Sequence, residues 1–512
     1  MPVEKAVRAK LGTAENINNP NKPKKPFRLF DAVLATVCVI LVVEAAAPSA
    51  AIGNSKYFWW VVSLIGFFVP YGLVTAELGT TYVGKGGLYD WITRAFGRRW
   101  GSRAAWYYWM QFAMWVAALA VLFTEVVTQT FRLSFSTPVA IMIQLAFIWG
   151  VAGLSLMSIS ESKILINICS YFKVALMAAL GVLGLYYGLT HGVANPVESG
   201  RDLLPGVMGL SFIAVVIFNF TGFEVVTTFA SDMKQPQKEI PKALLMAGGL
   251  IVAFYLFASF GISAAIPRSE LSTYGGLLDS FYFFFAHLNI PSIFIIVVAV
   301  MFLYSLVTNP VVWALGVNNV ASHAAENGAM PAIFARKTAG GAPVGATVMS
   351  SLVATVMVLA APFIPNPDIF WGFFALQVMM LLLPYALMFP AFKKLRRLDA
   401  NTPRPFRVPG GPVLVNLITY VPTAMLVFAG VLVAVYPNGD GTWTFEWLMI
   451  IGSIAAVILG EIIVRRLKLE RGSAIGLRPT FGVTMPDDAA APSSVKSPSE
   501  SSSKPLQIAR AA

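Results

Sequence analysis

The sequence predicts an all-α polytopic membrane protein with about twelve transmembrane helices. Of its 512 residues, 57% are hydrophobic and only 12% are charged, whereas about a quarter of the residues in a soluble domain are charged. Long apolar runs recur along the chain, and most Lys and Arg residues lie in alternate connections between them. These three observations together predict that the apolar surface faces a lipid bilayer.

A helix needs about 20 mostly apolar residues to cross the hydrocarbon core of a bilayer. Runs of this kind lie at 32–53, 57–83, 104–133, 138–158, 163–190, 205–231, 241–266, 290–322, 345–364, 368–394, 412–436 and 445–466. We expect a cytoplasmic N-terminal tail at 1–28 and a transmembrane domain at 29–470. The segment 471–512 is rich in Ser, Pro and Ala and predicts a disordered cytoplasmic tail.

The distribution of basic residues predicts the orientation, because Lys and Arg favour the cytoplasmic side of a membrane. The odd-numbered connections carry only Lys56, Arg132, Arg201 and Arg268, while both termini and the even-numbered connections carry almost all the others. A multi-pass protein of the cell (plasma or inner) membrane with both termini in the cytoplasm is therefore predicted. This topology accounts for the net charge of +12, so the charge does not indicate nucleic acid as a partner.

Residues typical of enzyme and metal sites are scattered. Cys38 and Cys169 both lie in apolar runs, and His191, His287 and His323 are far apart in the sequence. They form no metal-ligand spacing and no Ser–His or Cys–His pattern. Neither a metal nor a cofactor is predicted, and we do not expect an enzyme.

Glu224 lies in the sixth apolar run, shortly after the polar, glycine-containing stretch 219–222. A charge inside the membrane is costly, and a broken membrane helix is tolerated only where its backbone groups meet protein, water or substrate. One interpretation is a broken helix whose amides bind substrate, with Glu224 as a proton or cation site. The alternative is a close helix crossing with a glutamate satisfied by a neighbouring residue.

Two further charges lie deep in apolar runs. Lys173 is about 15 Å into the fifth run, so it either loads and releases a proton or acts as a fixed counter-charge. Glu44 shortly precedes Pro48 in the first run, and proline weakens a helix. Glu44 therefore either binds a cationic group or a proton, or pairs with Lys173.

Four stretches carry a family resemblance: "FNFTGFEVVTTFASDMKQPQKEIPKAL" (218–244), "TAELGTTYVGKGGLYDWITRAFG" (75–97), "ENGAMPAIFAR" (326–336) and "RPFRVPGG" (404–411). Across about 35–465 the chain resembles the amino acid–polyamine–organocation superfamily. The resemblance implies two inverted repeats of five helices plus two extra helices. The first and sixth helices would be broken, with substrate between them and transport by alternating access.

The resemblance also implies roles for individual residues. Phe218 takes the position of an aromatic gate, and Glu224 that of a glutamate linked to coupling. Lys173 stands where sodium-coupled relatives hold an ion, which implies sodium-independent transport. Proton coupling is therefore assigned to Glu224, Lys173 and Glu44.

The implied substrate-binding residues lie at the two breaks. They are Val42, Val43, Glu44 and Ala45 in the first helix, and Phe218, Asn219, Phe220, Thr221 and Gly222 in the sixth. The family's usual Gly-Ser-Gly triplet is replaced by Leu41-Val42-Val43, which departs from its small-residue contact with an α-carboxylate. An acid at Glu44 disfavours anionic cargo and favours a basic amino acid or amine.

The predicted function is secondary active transport of amino acids, by exchange or proton symport, without sodium. A transporter of polyamines or organic amines is the alternative, supported by Glu44 and Glu224. The expected partners are a small-molecule substrate, protons and the lipid bilayer. A channel is disfavoured because the sequence contains no repeated pore loop.

Overall fold

The computed structural model describes residues 29–157, 159–205, 210, 213–227, 233, 235–267, 276–364, 369–437 and 442–467. Most of these residues are helical, which confirms the predicted all-α membrane class. The predicted tails at 1–28 and 471–512 lie outside the described residues. The predicted division into these tails and a transmembrane domain at 29–470 therefore stays a prediction.

The described helices run in chain order. They are α1 Leu29–Ile40, α2 Ala46–Ala51, α3 Lys56–Ser63, α4 Val69–Thr81, α5 Leu88–Phe96, α6 Arg98–Phe131, α7 Thr137–Ser155, α8 Ile159–His191, α9 Ile213–Phe218, α10 Phe223–Thr227, α11 Pro236–Ala265, α12 Gly276–His287, α13 Ile293–Glu326, α14 Val344–Ala360, α15 Ile369–Leu398, α16 Pro412–Ala434 and α17 Trp447–Arg466. Strand β1 is Val435–Pro437 and strand β2 is Trp443–Phe445. Short 3₁₀ turns are Val43–Ala45, Gly200–Leu203, Ala332–Ala335 and Ala361–Phe363, and a π-helical turn at Leu64–Phe68 joins α3 to α4.

Ten helices in the described part of the chain are long and apolar enough to cross a membrane. The predicted first and sixth spans are not among these ten, because each is interrupted. The first consists of α1, a 3₁₀ turn and α2, and the sixth consists of α9 and α10. The structure therefore contains breaks in the two spans for which they were predicted, while the total of twelve spans stays a prediction.

Helix α6 lies at the centre of the bundle. In its most apolar stretch, 83% of the residues are buried, against 22% in α7 and in α17. Helices α13, α14 and α15 pack directly against α6. Helix α1 packs against α8, α11 and α13, so the end of α1 is surrounded by long helices that can supply side chains to it.

Four short elements differ from the prediction. Helices α5 and α12 have 9 and 12 residues, too few to cross a bilayer, so a search for long apolar runs passes over them. Strands β1 and β2 pair antiparallel, with Val435 opposite Phe445. This pairing replaces the predicted end of the run at 412–436 and satisfies backbone groups of the connection.

Glu77 is fully buried in α4 and joins three parts of the chain. Its carboxylate accepts hydrogen bonds from Arg396 Nε at 2.9 Å and from Arg404 Nη1 at 3.0 Å. The backbone N–H of Val408 also donates to it, at 2.7 Å. The carboxylate thereby ties α4 to the end of α15 and to the connection that precedes α16.

Substitution of Glu77 by alanine is expected to destabilise the protein strongly. It leaves the Arg396 and Arg404 side chains, only 12% and 6% exposed, without their carboxylate, and breaking such a buried pair costs about 3–5 kcal/mol. Thermal unfolding of the detergent-purified protein measures the loss. The matched control is Glu461→Ala, whose partner Arg103 is more exposed and for which about 0–1 kcal/mol is expected. Equal losses in the two variants would contradict the structural role assigned to Glu77.

Candidate functional site

The break in the first span releases three carbonyl groups, and each of them meets a side chain from a different helix. Lys173 Nζ on α8 donates to the carbonyl of Cys38 at 2.5 Å. Trp313 Nε1 on α13 donates to the next carbonyl, that of Val39, at 2.9 Å. Lipid offers no hydrogen bonds, so a broken membrane helix requires partners of this kind.

The third side chain at this break is Tyr255 on α11. Its hydroxyl donates to the carbonyl of Ile40 at 2.9 Å and accepts a hydrogen bond from the N–H of Val42 at 2.7 Å. Because it acts as donor and acceptor at once, one hydroxyl bridges the gap between α1 and the following 3₁₀ turn. The aromatic ring packs against Trp60, with the ring centroids 5.2 Å apart.

The second break lies between α9 and α10 and depends on Gly222. Its φ is +109°, a conformation that L side chains rarely adopt, and an added Cβ would lie 2.9 Å from both Trp313 and Val39. The N–H of Gly222 lies 3.2 Å from the hydroxyl oxygens of Tyr71 and of Tyr385, which accept its hydrogen bond. The glycine thus lets α10 begin directly beside the end of α1.

Glu224, at the start of α10, is enclosed by tyrosine hydroxyls from three helices. Tyr108 on α6 donates to its carboxylate at 2.5 Å and Tyr385 on α15 donates at 2.7 Å. Tyr71 on α4 donates to the other carboxylate oxygen. All four residues are buried. Within the described residues no cation pairs with Glu224, so neutral donors alone satisfy this carboxylate.

A side-chain hydrogen bond joins the two breaks. Asn219 Nδ2 donates to Ser49 Oγ on α2 at 3.0 Å, and Ser49 in turn donates to the carbonyl of Ala45 at 2.8 Å. The remaining amide oxygen of Asn219 is buried and has no partner among the described residues. The predicted binding residues of the first and sixth spans are therefore brought together.

Aromatic rings line the second break. Phe218 packs edge-on against Phe374 of α15, with 5.1 Å between ring centroids. Phe220 contacts Trp60 at 5.1 Å and Phe68 at 4.8 Å. Thr221 Oγ1 donates to the carbonyl of Phe218 at 2.7 Å. The contact with Phe374 holds the predicted gate residue, Phe218, against α15.

Glu44 differs from Glu224, because one of its oxygens is unsatisfied. It lies between Val43 and Ala45 on the 3₁₀ turn after the first break, and it is only 5% exposed. Its Oε1 is buried without a hydrogen-bond partner in the described part of the structure. The charge of Lys173 is near enough to interact with it, but no ion pair joins the two within the described residues. An unpaired acceptor of this kind is what a cationic ligand can complete.

Sequence reasoning did not identify the four tyrosines as site residues. The hydroxyls at the two breaks come from Tyr71, Tyr108, Tyr255 and Tyr385, whereas the aromatic residues named from the sequence were Phe218 and Phe220. The one available signal was that a hydroxyl buried in an apolar run needs a hydrogen-bond partner.

Two broken spans that face each other inside a bundle of long apolar helices, with buried charges at the breaks, define a secondary transporter. The chain belongs to the amino acid permease family, because the model of that family matches residues 27–456. It is a multi-pass transporter of the cell membrane and not an enzyme, as the sequence predicted.

Several curated relatives are named as antiporters or exchangers. The chain is 46% identical over 445 residues to a probable agmatine/putrescine antiporter of Lactococcus lactis, which covers 86% of this chain and 95% of the relative. It is 22% identical over 462 residues to a glutamate/gamma-aminobutyrate antiporter of the same species, covering 87% of this chain and 91% of the relative. A serine/threonine exchanger of Bacillus subtilis is 25% identical over 240 residues, 45% of this chain and 52% of the relative. These relatives confirm the predicted secondary transport.

Substitution of Lys173 by alanine is expected to slow transport at least tenfold. It removes a positive charge beside Glu44 and leaves the carbonyl of Cys38 buried without its donor, at a cost of about 1–3 kcal/mol. Counterflow rates in proteoliposomes measure the effect. The matched control is Lys56→Ala, another fully buried lysine, which bonds the hydroxyl of Ser263 instead of a helix break. Normal transport by the Lys173 variant would show that this lysine is only structural.

Proposed function

We propose that this protein exchanges cationic amines, agmatine and putrescine among them, across the membrane by alternating access. The observation that carries the proposal is the buried Oε1 of Glu44, which lacks a partner beside the first helix break in the described part of the chain. An ammonium or guanidinium group would supply the missing donor, whereas the carboxylate of an amino acid would be repelled. The relative at 46% identity is named as a probable agmatine/putrescine antiporter, which supports the same substrate class.

The charges at the two breaks support a cationic substrate. Among the described residues, two carboxylates, Glu44 and Glu224, and one ammonium, Lys173, lie there. If all three are ionised, one negative charge remains uncompensated. An uncompensated buried charge is costly, so a substrate that brings positive charge stabilises the site when it binds.

The two carboxylates support two different roles. Glu44 has an open acceptor and is assigned to substrate, together with the neighbouring residues of 42–45 and 218–222. Glu224 already accepts hydrogen bonds from three tyrosines, and we assign it to proton or conformational coupling. Because these tyrosines come from α4, α6 and α15, a shift of α10 must break several of their bonds. The tyrosine cluster therefore acts as a closure on one side of the site.

The predicted topology assigns the sides. With both termini in the cytoplasm, α10 and Glu224 lie toward the cytoplasm, while Phe218 at the end of α9 lies toward the exterior. The contact between Phe218 and Phe374 then forms an outer gate, and opening it requires α9 and α15 to separate. Lys173, bonded to the first break, takes the position of a coupling cation, consistent with transport that needs no sodium.

Counterflow in proteoliposomes tests the proposed function. Liposomes loaded with putrescine are expected to accumulate labelled agmatine in a saturable way, and empty liposomes or liposomes loaded with glutamate are not. Uptake that occurs only against neutral or acidic amino acids would contradict the proposal and favour the amino acid transport that the sequence predicts.

Substitution of Glu44 by glutamine is expected to weaken agmatine binding by about 10–100-fold, since a hydrogen bond to a charged group is worth about 1.5–3 kcal/mol. Glutamine keeps the size of the side chain and replaces the charged carboxylate with a neutral amide. The apparent affinity for agmatine in the counterflow assay is the measurement. The matched control is Glu125→Gln, an exposed carboxylate on α6, for which no change is expected. An unchanged affinity in the Glu44 variant would remove this residue from the binding site.

A further inference from the structure

We infer that the hydroxyl of Tyr255 makes this transporter select against substrates that carry a carboxylate, because it occupies the backbone amide at the first helix break. This inference rests on the proposed function, in that the substrate's charged groups meet the protein at that break. It identifies a specificity-determining residue that is distant in sequence from both breaks.

The amide concerned is that of Val42. A backbone N–H at an interrupted membrane helix is suited to bind a substrate carboxylate, since it points away from the helix ladder and carries partial positive charge. In this chain the N–H of Val42 donates to the hydroxyl of Tyr255 at 2.7 Å, and both residues are 2% or less exposed. The position that a carboxylate oxygen would take is already filled by the phenol oxygen.

Two other donors at the same break are also engaged. The ammonium of Lys173 bonds the carbonyl of Cys38, and the indole N–H of Trp313 bonds the carbonyl of Val39. A carboxylate at this break would therefore find the amide of Val42 and the indole of Trp313 engaged, would share the ammonium of Lys173 with the carbonyl of Cys38, and would face the open oxygen of Glu44. For an ammonium or guanidinium group the same surface is complementary, because the open oxygen of Glu44 can accept its hydrogen bond.

The Tyr255 ring is held independently of its hydroxyl. It packs against Trp60, which also contacts Phe220 at the second break. The ring therefore links the two breaks, and substitution by phenylalanine preserves this packing while removing the hydroxyl alone. Such a variant frees the N–H of Val42 without vacating the space.

A structural role and a role in substrate selectivity of the Tyr255 hydroxyl predict different binding results for Tyr255→Phe. If the hydroxyl only satisfies the break, its loss lowers stability and transport for every substrate by the same factor. If it excludes carboxylates, its loss changes the ratio between substrates that differ in that group alone. Agmatine and arginine form such a pair, as do putrescine and ornithine, because each amine is the decarboxylated form of the amino acid.

The experiment measures binding of these four compounds to purified wild-type protein and to Tyr255→Phe, by thermal stabilisation and by competition with labelled agmatine. Wild-type protein is expected to bind arginine at least tenfold more weakly than agmatine. In Tyr255→Phe this ratio is expected to shift toward arginine by about tenfold, which corresponds to about 1.4 kcal/mol, and the putrescine–ornithine ratio is expected to shift the same way.

The matched control is Tyr304→Phe. The Tyr304 hydroxyl donates to the carbonyl of Leu165 on α8 at 3.2 Å and not to a backbone group of either break, so its loss is expected to leave both ratios unchanged. Because Glu44 also repels carboxylates, the Tyr255 substitution is measured in the native and in the Glu44→Gln background, and a shift in either supports the inference.

Two outcomes overturn it. The first is that Tyr255→Phe leaves both binding ratios unchanged in both backgrounds. The second is that the wild-type protein binds arginine as tightly as agmatine, a result that does not depend on the folding of any variant. If the wild-type protein binds neither amine, the proposed function fails by itself. A gain of arginine binding by Tyr255→Phe over wild type then still decides the role of this hydroxyl.

Discussion

The hydrogen bonds that satisfy the first helix break are the interaction on which the rest of this structure depends. Three consecutive carbonyls and the amide of Val42 leave the helix ladder in a region where lipid cannot replace their partners. Lys173, Trp313 and Tyr255 supply those partners from α8, α13 and α11. Each unpaired group would cost about 1–3 kcal/mol, so the break is stable only while these three helices stay packed around α1. A motion of any of them therefore changes the hydrogen bonds of the break, where the substrate site is proposed.

These internal hydrogen bonds determine which polar groups of the break remain available to a ligand. The side chains at the first break are mostly donors, and the backbone carbonyls engage them. Among the described residues of the first break itself, the side-chain acceptor that remains open is the Oε1 of Glu44. The second break is arranged differently, because Tyr71, Tyr108 and Tyr385 already satisfy Glu224. One carboxylate thus has an oxygen without a partner in the described part of the chain while the other is satisfied by a particular packing of helices, and the proposed function assigns substrate recognition to the first and conformational coupling to the second.

Much of the fold was accessible from the sequence, because hydropathy and charge act locally. The predicted runs at 412–436 and 445–466 correspond to Pro412–Ala434 and Trp447–Arg466. Glu44, Lys173 and Glu224 were singled out because charges are costly in apolar runs. Their partners were not accessible in this way. The bond between Val42 and Tyr255 joins residues 213 positions apart, and no local pattern distinguishes that tyrosine from others in apolar helices. For Lys173 the sequence offered Glu44 as a counter-charge, whereas its hydrogen bond goes to the carbonyl of Cys38.

An experimental structure of the protein with agmatine bound would decide whether Glu44 and the first break recognise the substrate. We expect a charged nitrogen of agmatine within about 2.7–3.2 Å of Glu44 Oε1, while the hydroxyl of Tyr255 still accepts the hydrogen bond from the N–H of Val42. A bound agmatine whose charged groups contact other residues, with Glu44 left unpaired, would contradict this assignment.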